Sequence, residues 1–113
     1  MNAGGVRVQR RYDATATELW AALTDPESVQ RWLGRELPEP VTADATERVL
    51  EVEWNFPGEP VSRVRFELHE DEDGVLLVID HRGLDRAEST AYGEGWKAHL
   101  ADLETLIKEG ATT

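Results

Sequence analysis

The side chains best suited to proton transfer in this sequence are its three histidines. His81 occupies the last inward-facing position of an alternating segment, where a neutral imidazole could hydrogen-bond a ligand or act as a general base near pH 7. The spacing fixes no partner acid, so we favour a histidine satisfied by the backbone. His99 can pair with Asp102 one helical turn away, and His69 lies beside an acidic loop. His81 is therefore a weak catalytic candidate, and we name no other.

Four consecutive acids at residues 70–73 invite a calcium interpretation. An EF-hand loop needs alternating oxygen ligands, a glycine at the sixth place and a glutamate at the twelfth. Here the acids are consecutive and Gly74 follows at once, which favours a solvated hairpin loop. The chain has no cysteine and no HExxH motif, so zinc is disfavoured as well. We predict no metal site and no cofactor.

The sequence also lacks the motifs of a serine nucleophile and of a nucleotide-binding loop. There is no GxSxG elbow, and Ser28, Ser62 and Ser89 stand in capping or turn contexts. Gly93 and Gly95 precede a helical pattern but lack the third glycine of a dinucleotide fingerprint. We interpret both as allowing a helix to start close against a sheet.

The acidic charge balance disfavours two classes of partner, nucleic acids and anionic membranes. The 113 residues are 40% hydrophobic and carry 23 Asp and Glu against 12 Lys and Arg, a net charge of −11. This balance disfavours nucleic acids and anionic membrane surfaces, both of which are bound through basic residues. No segment has the apolar run of a signal peptide or a membrane span. We expect one cytoplasmic domain over residues 1–113.

The first third of the chain predicts a strand followed by two short helices. Residues 6–13 alternate between apolar and polar, which is typical of a half-buried strand. Residues 15–18 read as a capping box that starts a helix. Asp25 and Pro26 fit the N-cap and first position of a second helix, and Gly34 fits its C-terminal cap.

The remainder predicts three strands and a long helix. Residues 35–44 contain two prolines and no periodicity, which indicates a loop, with or without a short edge strand. Three alternating segments follow, separated by turns at residues 57–60 and 70–74. A helical pattern spans residues 89–109, with Gly110 as a stop and residues 111–113 frayed. Its apolar stripe consists of Tyr92, Trp96, Leu100, Leu103 and Ile107.

These elements give an α+β fold in the order β-αα-β-β-β-α. Sequential strands joined by tight turns pair antiparallel. A sheet with one apolar face needs a cover, and the C-terminal helix has a matching stripe. We therefore expect a curved antiparallel sheet that packs on a long C-terminal helix.

Four runs resemble one known family: YDATATELWAALTDPE with RWLG (12–27 and 31–34), SRVRFEL (62–68), IDHRGL (79–84) and GWKAHLADLETL (95–106). Together they resemble the START-like (SRPBCC) helix-grip superfamily, in the branch named after the activator of the heat-shock protein 90 ATPase. The resemblance implies a hydrophobic cavity between sheet and helix that binds apolar molecules. The stretch between Trp32 and Trp54 is shorter than in the family, so we expect a narrower sheet and a small, open or tryptophan-filled pocket.

The resemblance and the inward aromatic residues together predict where a ligand would lie. Simple core packing is the alternative for each ring, and we favour it for Trp20 and Phe66. Trp32, Tyr92 and Trp96 have polar tips and are the strongest candidates for pocket walls. The complete set of predicted ligand-binding positions is Trp32, Trp54, Phe66, Leu77, Ile79, His81, Tyr92, Trp96 and Leu100.

Three functions compete. The leading hypothesis is a binding domain for an apolar or amphipathic small molecule or lipid. The second is a co-chaperone-type interaction module that modulates a heat-shock 90-like ATPase, and the third is a cyclase or hydratase with His81 as base. The residues favour a binding protein over an enzyme.

Two adjacent apolar residues on the outer face of the predicted sheet suggest a further contact. Leu76 and Val78, together with Val49, could form an exposed patch where polar residues would be expected. Such a patch could be a homodimer contact or could lie under a local cover. Ordinary β-propensity on a shielded strand is the alternative.

Overall fold

The computed structural model describes residues 4–111 as an α+β fold with one sheet and three helices. The helix-grip prediction is confirmed, because the long final helix packs on a five-stranded antiparallel sheet. Within the described residues no helix combines the length and apolar character needed to cross a membrane. The elements are β1 (Gly4–Tyr12), α1 (Ala16–Thr24), α2 (Pro26–Leu33), β2 (Pro40–Asp44), β3 (Val49–Trp54), β4 (Ser62–Asp71), β5 (Gly74–Leu84) and α3 (Arg86–Ala111).

The two short helices begin and end at the predicted caps. The Thr15 hydroxyl accepts from the Glu18 amide at 3.1 Å, and the Glu18 carboxylate accepts from the Thr15 amide at 3.2 Å. The Asp25 carboxylate accepts from the Ser28 amide at 3.0 Å and starts α2. Gly34 then ends α2 with a φ of 79°, a left-handed conformation that glycine adopts without strain. These local devices hold the corner between α1 and α2.

The sheet has the strand order β1-β5-β4-β3-β2, and every neighbouring pair is antiparallel. The inward faces predicted for the three central strands are confirmed. Alternate positions on each strand are buried against the helices, as the period of two requires. The buried inner positions of β3, β4 and β5 are Leu50, Val52, Trp54, Val64, Phe66, Leu68, Val75, Leu77, Ile79 and His81.

The strand β2 is an addition to the predicted element order. It pairs with β3 at the edge of the sheet, where the sequence left the choice between a loop and a short edge strand open. All five of its residues are exposed, so it has no alternation that a pattern could reveal. Pro40 stands at its first position, where a missing amide donor removes no hydrogen bond from the centre of the sheet. The sheet is therefore one strand wider than predicted.

The helix α3 begins three residues before the predicted start. The Asp85 carboxylate accepts from the Glu88 amide at 2.7 Å, and the Glu88 carboxylate accepts from the Asp85 amide at 2.8 Å. This reciprocal pair is a capping box in which Asp replaces Ser or Thr. The helix runs through Gly110 to Ala111, so Gly110 is not the stop. Of the tail predicted to fray, Ala111 is helical and residues 112–113 lie outside the described range.

The outer-face patch is smaller than predicted. Val78 is only 2% exposed, while Leu76 and Val49 are half-buried. Val78 lies between Gln9 of β1 and Glu67 of β4, and long polar side chains at such positions cover apolar neighbours with their stems. The expectation of an exposed Val78 is therefore wrong. A homodimer through Val49, Leu76 and Val78 stays a prediction.

Candidate functional site

His81 lies at the centre of the packing between β5 and α3. Its ring is completely buried, with Nε2 2.7 Å from the Ser62 hydroxyl and Nδ1 accepting the indole N–H of Trp96 at 3.0 Å. An indole nitrogen can only donate, so the proton of the neutral imidazole belongs on Nε2 and points to Ser62. The Ser62 hydroxyl donates onward to the carbonyl of Pro60 at 3.4 Å. Side chains, rather than the backbone that we expected, satisfy this histidine.

The environment of His81 keeps the imidazole neutral. Burial lowers the pKa of His81 from its ordinary 6.5 to about 4, although the nearby Glu59 carboxylate acts in the opposite direction. Both ring nitrogens are engaged and the ring has no accessible surface. In this arrangement His81 orients Trp96 and supports Tyr92, whose ring centroid lies 4.6 Å away.

Aromatic rings fill most of the space between the sheet and α3. The Trp96 ring meets Trp54 edge-on at a centroid distance of 5.4 Å and Phe66 at 5.8 Å. Such edge-to-face contacts stabilise an aromatic core beyond the area that they bury. The deeper predicted positions Leu77 and Ile79 are fully buried beneath these rings. The interior is therefore packed core, and open space remains at its margin.

A polar cluster at this margin is centred on Glu59, in the loop between β3 and β4. Its carboxylate accepts the Tyr92 hydroxyl at 2.6 Å, Nη1 of Arg35 at 2.8 Å and the Trp54 indole N–H at 3.2 Å. Burial alone would raise the pKa of Glu59, but these three donors outweigh it and the pKa is lowered. Burial and the neighbouring carboxylate together raise the pKa of Tyr92 to about 12. The Arg35 guanidinium also lies 4.3 Å from the Phe56 ring centroid.

Beside this cluster a cavity of about 350 Å³ opens between α3, the end of α2 and β3. We call it the aromatic cavity. The walls combine two indole rings and a phenol with an ion pair and a histidine. The residues that line it are Leu33, Gly34, Arg35, Trp54, Glu59, Ala91, Tyr92, Gly95, Trp96 and His99.

Gly93 and Gly95 of α3 have different roles. A Cβ on Gly93 would lie 3.1 Å from Cγ2 of Val6, so Gly93 permits the close approach to the sheet that we expected. A Cβ on Gly95 would meet no atom within 4 Å. Gly95 therefore does not serve packing, and its missing side chain leaves room in the aromatic cavity.

The structure brings three of the predicted ligand-binding residues to this cavity: Trp54, Tyr92 and Trp96. Trp32 is instead buried in the helical corner, where its indole N–H donates to the carbonyl of Ala22 at 2.9 Å. The remaining predicted positions form core around the cavity and do not line it; they are Phe66, Leu77, Ile79, His81 and Leu100.

Sequence reasoning missed Arg35, Glu59 and His99 as cavity residues. Glu59 stands in a turn with two prolines and Arg35 follows a helix cap, so nothing local shows that the two meet across 24 residues. His99 flanks the apolar stripe of α3, and this position could have identified it as a cavity residue. Within residues 4–111 no three His, Asp or Glu side chains are grouped as a metal ion would require.

Comparison with known families now places the fold. Residues 41–108, well over half of the chain, match the family described as Activator of Hsp90 ATPase homolog 1-like protein. The chain belongs to this family. The resemblance seen in the sequence motifs is therefore confirmed, and the helix-grip fold agrees with it.

Solved structures show the same fold. CalU16 from Micromonospora echinospora is 28% identical with a TM-score of 0.77, over 89% of this chain and 72% of CalU16. An AHSA1-like protein from Rhizobium etli is also 28% identical, with a TM-score of 0.71 over 90% and 80% of the two chains. ChR145 from Cytophaga hutchinsonii has a TM-score of 0.79 over the whole of both chains at 15% identity, which shows the fold alone. Comparison with curated proteins finds no match.

Proposed function

We propose that this protein binds a small amphipathic molecule in the aromatic cavity. The observation that carries the proposal is an open space of about 350 Å³ walled by Trp54, Tyr92 and Trp96. Small-molecule sites have volumes from about 300 Å³ upwards and combine aromatic walls with a few polar groups. The cavity is at the lower end of that range, so its ligand is small and has a flat, apolar body.

The glycine at position 95 supports a cavity that is kept open. Glycine inside a helix destabilises it by roughly 0.5–1 kcal/mol relative to alanine. Gly95 has an ordinary helical backbone and open space where a side chain would lie. No neighbouring atom lies close enough to require a glycine at this position. A ligand bound against α3 would require it, because a side chain here would occupy the ligand's space.

The polar groups of the cavity indicate what the ligand carries. Both carboxylate oxygens of Glu59 already accept hydrogen bonds. Arg35 uses Nη1 for Glu59, and its side chain is 41% exposed, so further guanidinium donors remain. His99 adds a ring nitrogen at the rim. A ligand with a hydrogen-bond acceptor, such as a carbonyl or a carboxylate, suits this set.

Intrinsic tryptophan fluorescence tests the proposal, because two of the four tryptophans line the cavity. We expect 1-anilinonaphthalene-8-sulfonate, an anion with an apolar aromatic body, to quench that fluorescence in a saturable titration. Gly95→Leu places a side chain in the cavity and should weaken binding at least about tenfold. Ala98→Leu is the matched control, since Ala98 is exposed on α3 and lines no part of the cavity. Equal binding by Gly95→Leu and the parent protein would refute the proposal.

A second candidate function rests on the family match. The family is described by its likeness to an activator of the Hsp90 ATPase, which favours a protein-interaction role. Addition of the purified protein to an Hsp90 ATPase assay tests this role. Stimulation that survives Gly95→Leu would favour the interaction module, and the absence of stimulation would count against it.

A further inference from the structure

A second cavity of about 430 Å³ lies at the other end of the inner sheet face. Its floor consists of Leu23 of α1, Val29 of α2 and Leu50 of β3, all of which are at most 3% exposed. We call it the corner cavity, because it lies where the α1–α2 corner faces the edge strand β2. The other lining residues are Thr24, Pro26, Glu36, Leu37, Pro38, Glu39, Pro40 and Ala43.

The cavity exists because the sheet reaches further than the helices that cover it. The edge strand β2 extends the inner face beside β3, and Ala43 stands opposite Leu50 with only a methyl group. The covering segment contains Pro38 and Pro40, whose rings restrict the backbone and resist collapse into the gap. The space is therefore bounded on one side by helices and on the other by a stiff, proline-containing segment.

The chemistry of the lining is distinctive. Apart from the hydroxyl of Thr24, the polar side chains that line it are the exposed carboxylates of Glu36 and Glu39. None of the described residues lining the cavity is basic. The neighbouring Arg35 lines the aromatic cavity instead, where it pairs with Glu59 at 2.8 Å. An apolar floor with two carboxylates at the rim, on a chain of net charge −11, disfavours an anion and favours a cation.

We propose that the corner cavity is a second binding site, specific for a hydrophobic amine or quaternary ammonium compound. The apolar body lies on Leu23, Val29 and Leu50, and the cationic head lies between Glu36 and Glu39. The two cavities share no lining residue: Gly34 and Arg35 line the aromatic cavity, and residues 36–40 line the corner cavity. The corner site is therefore independent of the function proposed for the aromatic cavity.

Decyltrimethylammonium and decanoate make a matched pair of probes, since they share an alkyl chain and differ in the sign of the head group. Carbon–proton spectra of the methyl groups of Leu23, Val29 and Leu50 report occupancy of the corner cavity directly. We expect saturable shifts with the cation, and affinity at least about tenfold higher than for decanoate. Equal affinity for the two probes would overturn the proposal.

Three variants locate the site and its charge. Ala43→Phe fills the corner cavity and should abolish the methyl shifts, whereas Gly95→Leu should leave them unchanged. The double change Glu36→Gln and Glu39→Gln should weaken cation binding at least about threefold.

The matched control removes the same charge elsewhere, through Glu47→Gln and Glu72→Gln, both of which are exposed residues outside the cavity. If this control weakens binding as much as the rim variant does, the cation responds to net charge alone and the site assignment is wrong. If Gly95→Leu rather than Ala43→Phe removes binding, the cation occupies the aromatic cavity and the proposal also fails.

Discussion

The indole nitrogen of Trp96 on α3 donates a hydrogen bond to Nδ1 of His81 on β5, over 3.0 Å and with both rings buried. This single contact joins the long helix to the sheet behind the aromatic cavity. It also determines the tautomer of His81, whose other nitrogen faces Ser62. The orientation of the Trp96 ring in the cavity wall thus depends on a histidine that does not line the cavity.

Acid should destabilise the protein before most carboxylates begin to protonate. The unfolded chain takes up a proton on His81 below pH 6.5, whereas the folded chain does so only near pH 4. Protons therefore bind preferentially to the unfolded state in this window, and the free energy of unfolding falls with decreasing pH by up to about 3 kcal/mol. Urea unfolding at pH 7, 6, 5 and 4.5 measures the loss. The variant His81→Asn lacks this titration, so its free energy of unfolding should fall less over the same pH range. An equal fall in the variant and the parent protein would contradict the prediction.

Alanine at Gly93 and alanine at Gly95 should have opposite effects on stability. Gly95→Ala should stabilise the protein by roughly 0.5–1 kcal/mol, because the new methyl group meets open space and restricts the unfolded chain. Gly93→Ala should give no such gain and should lower the melting temperature, because its methyl group would lie 3.1 Å from Val6. Thermal unfolding followed by circular dichroism compares them. Stabilisation by both changes would contradict the prediction, because it would show that helix propensity outweighs the contact with Val6.

Removal of the two tyrosine hydroxyls should separate stability from binding. The Tyr12 hydroxyl donates to the carbonyl of Leu100 at 2.8 Å in the buried interior, so Tyr12→Phe should cost about 1 kcal/mol. The Tyr92 hydroxyl donates to Glu59 at the cavity, so Tyr92→Phe should chiefly change affinity for the fluorescent probe. Urea unfolding and the fluorescence titration on both variants check this. A loss of stability confined to Tyr92→Phe would reverse the assignment.

Val78 is buried although it lies on the outer face of the sheet, so its truncation should lower the free energy of unfolding more than is usual for an outer-face residue. Val78→Ala should destabilise the protein by about 1–2 kcal/mol, since the side chain is only 2% exposed. Val61→Ala is the matched control, because Val61 is 59% exposed and should change stability by less than about 0.5 kcal/mol. Denaturant midpoints at equal protein concentration give both values. Similar small effects for both variants would mean that the neighbouring side chains on the outer face do not cover Val78.

Much of the architecture could be predicted, because its signals are local. The capping boxes and the alternation of buried positions depend on residues two to four apart, so the α1–α2 corner and the inner faces of β3, β4 and β5 followed directly. The failures have equally local reasons. The edge strand β2 is exposed throughout and has no alternation, and the cap at Asp85 and Glu88 precedes the apolar stripe that marked the helix.

The candidate site was predicted in part. Tyr92 and Trp96 of the cavity wall were found because a stripe of helical period identifies one face of α3, and Trp54 was found because it alternates onto the inner face of β3. That face contains both core and cavity residues, and periodicity does not distinguish Trp96 at the cavity from Leu100 in the core. The ion pair of Arg35 and Glu59 depends on two loops that meet only in the folded chain.

The amino-acid sequence by itself determined seven of the eight elements, the caps of α1 and α2, the inner faces of the central strands and the family, because each of these depends on short-range patterns of residue type. The tertiary structure alone decided where space remains between those elements. A cavity is the difference between the volume that the backbone encloses and the volume that side chains fill, so it depends on contacts such as that between Glu59 and Tyr92, 33 residues apart. Both the aromatic cavity and the corner cavity are consequences of that long-range packing.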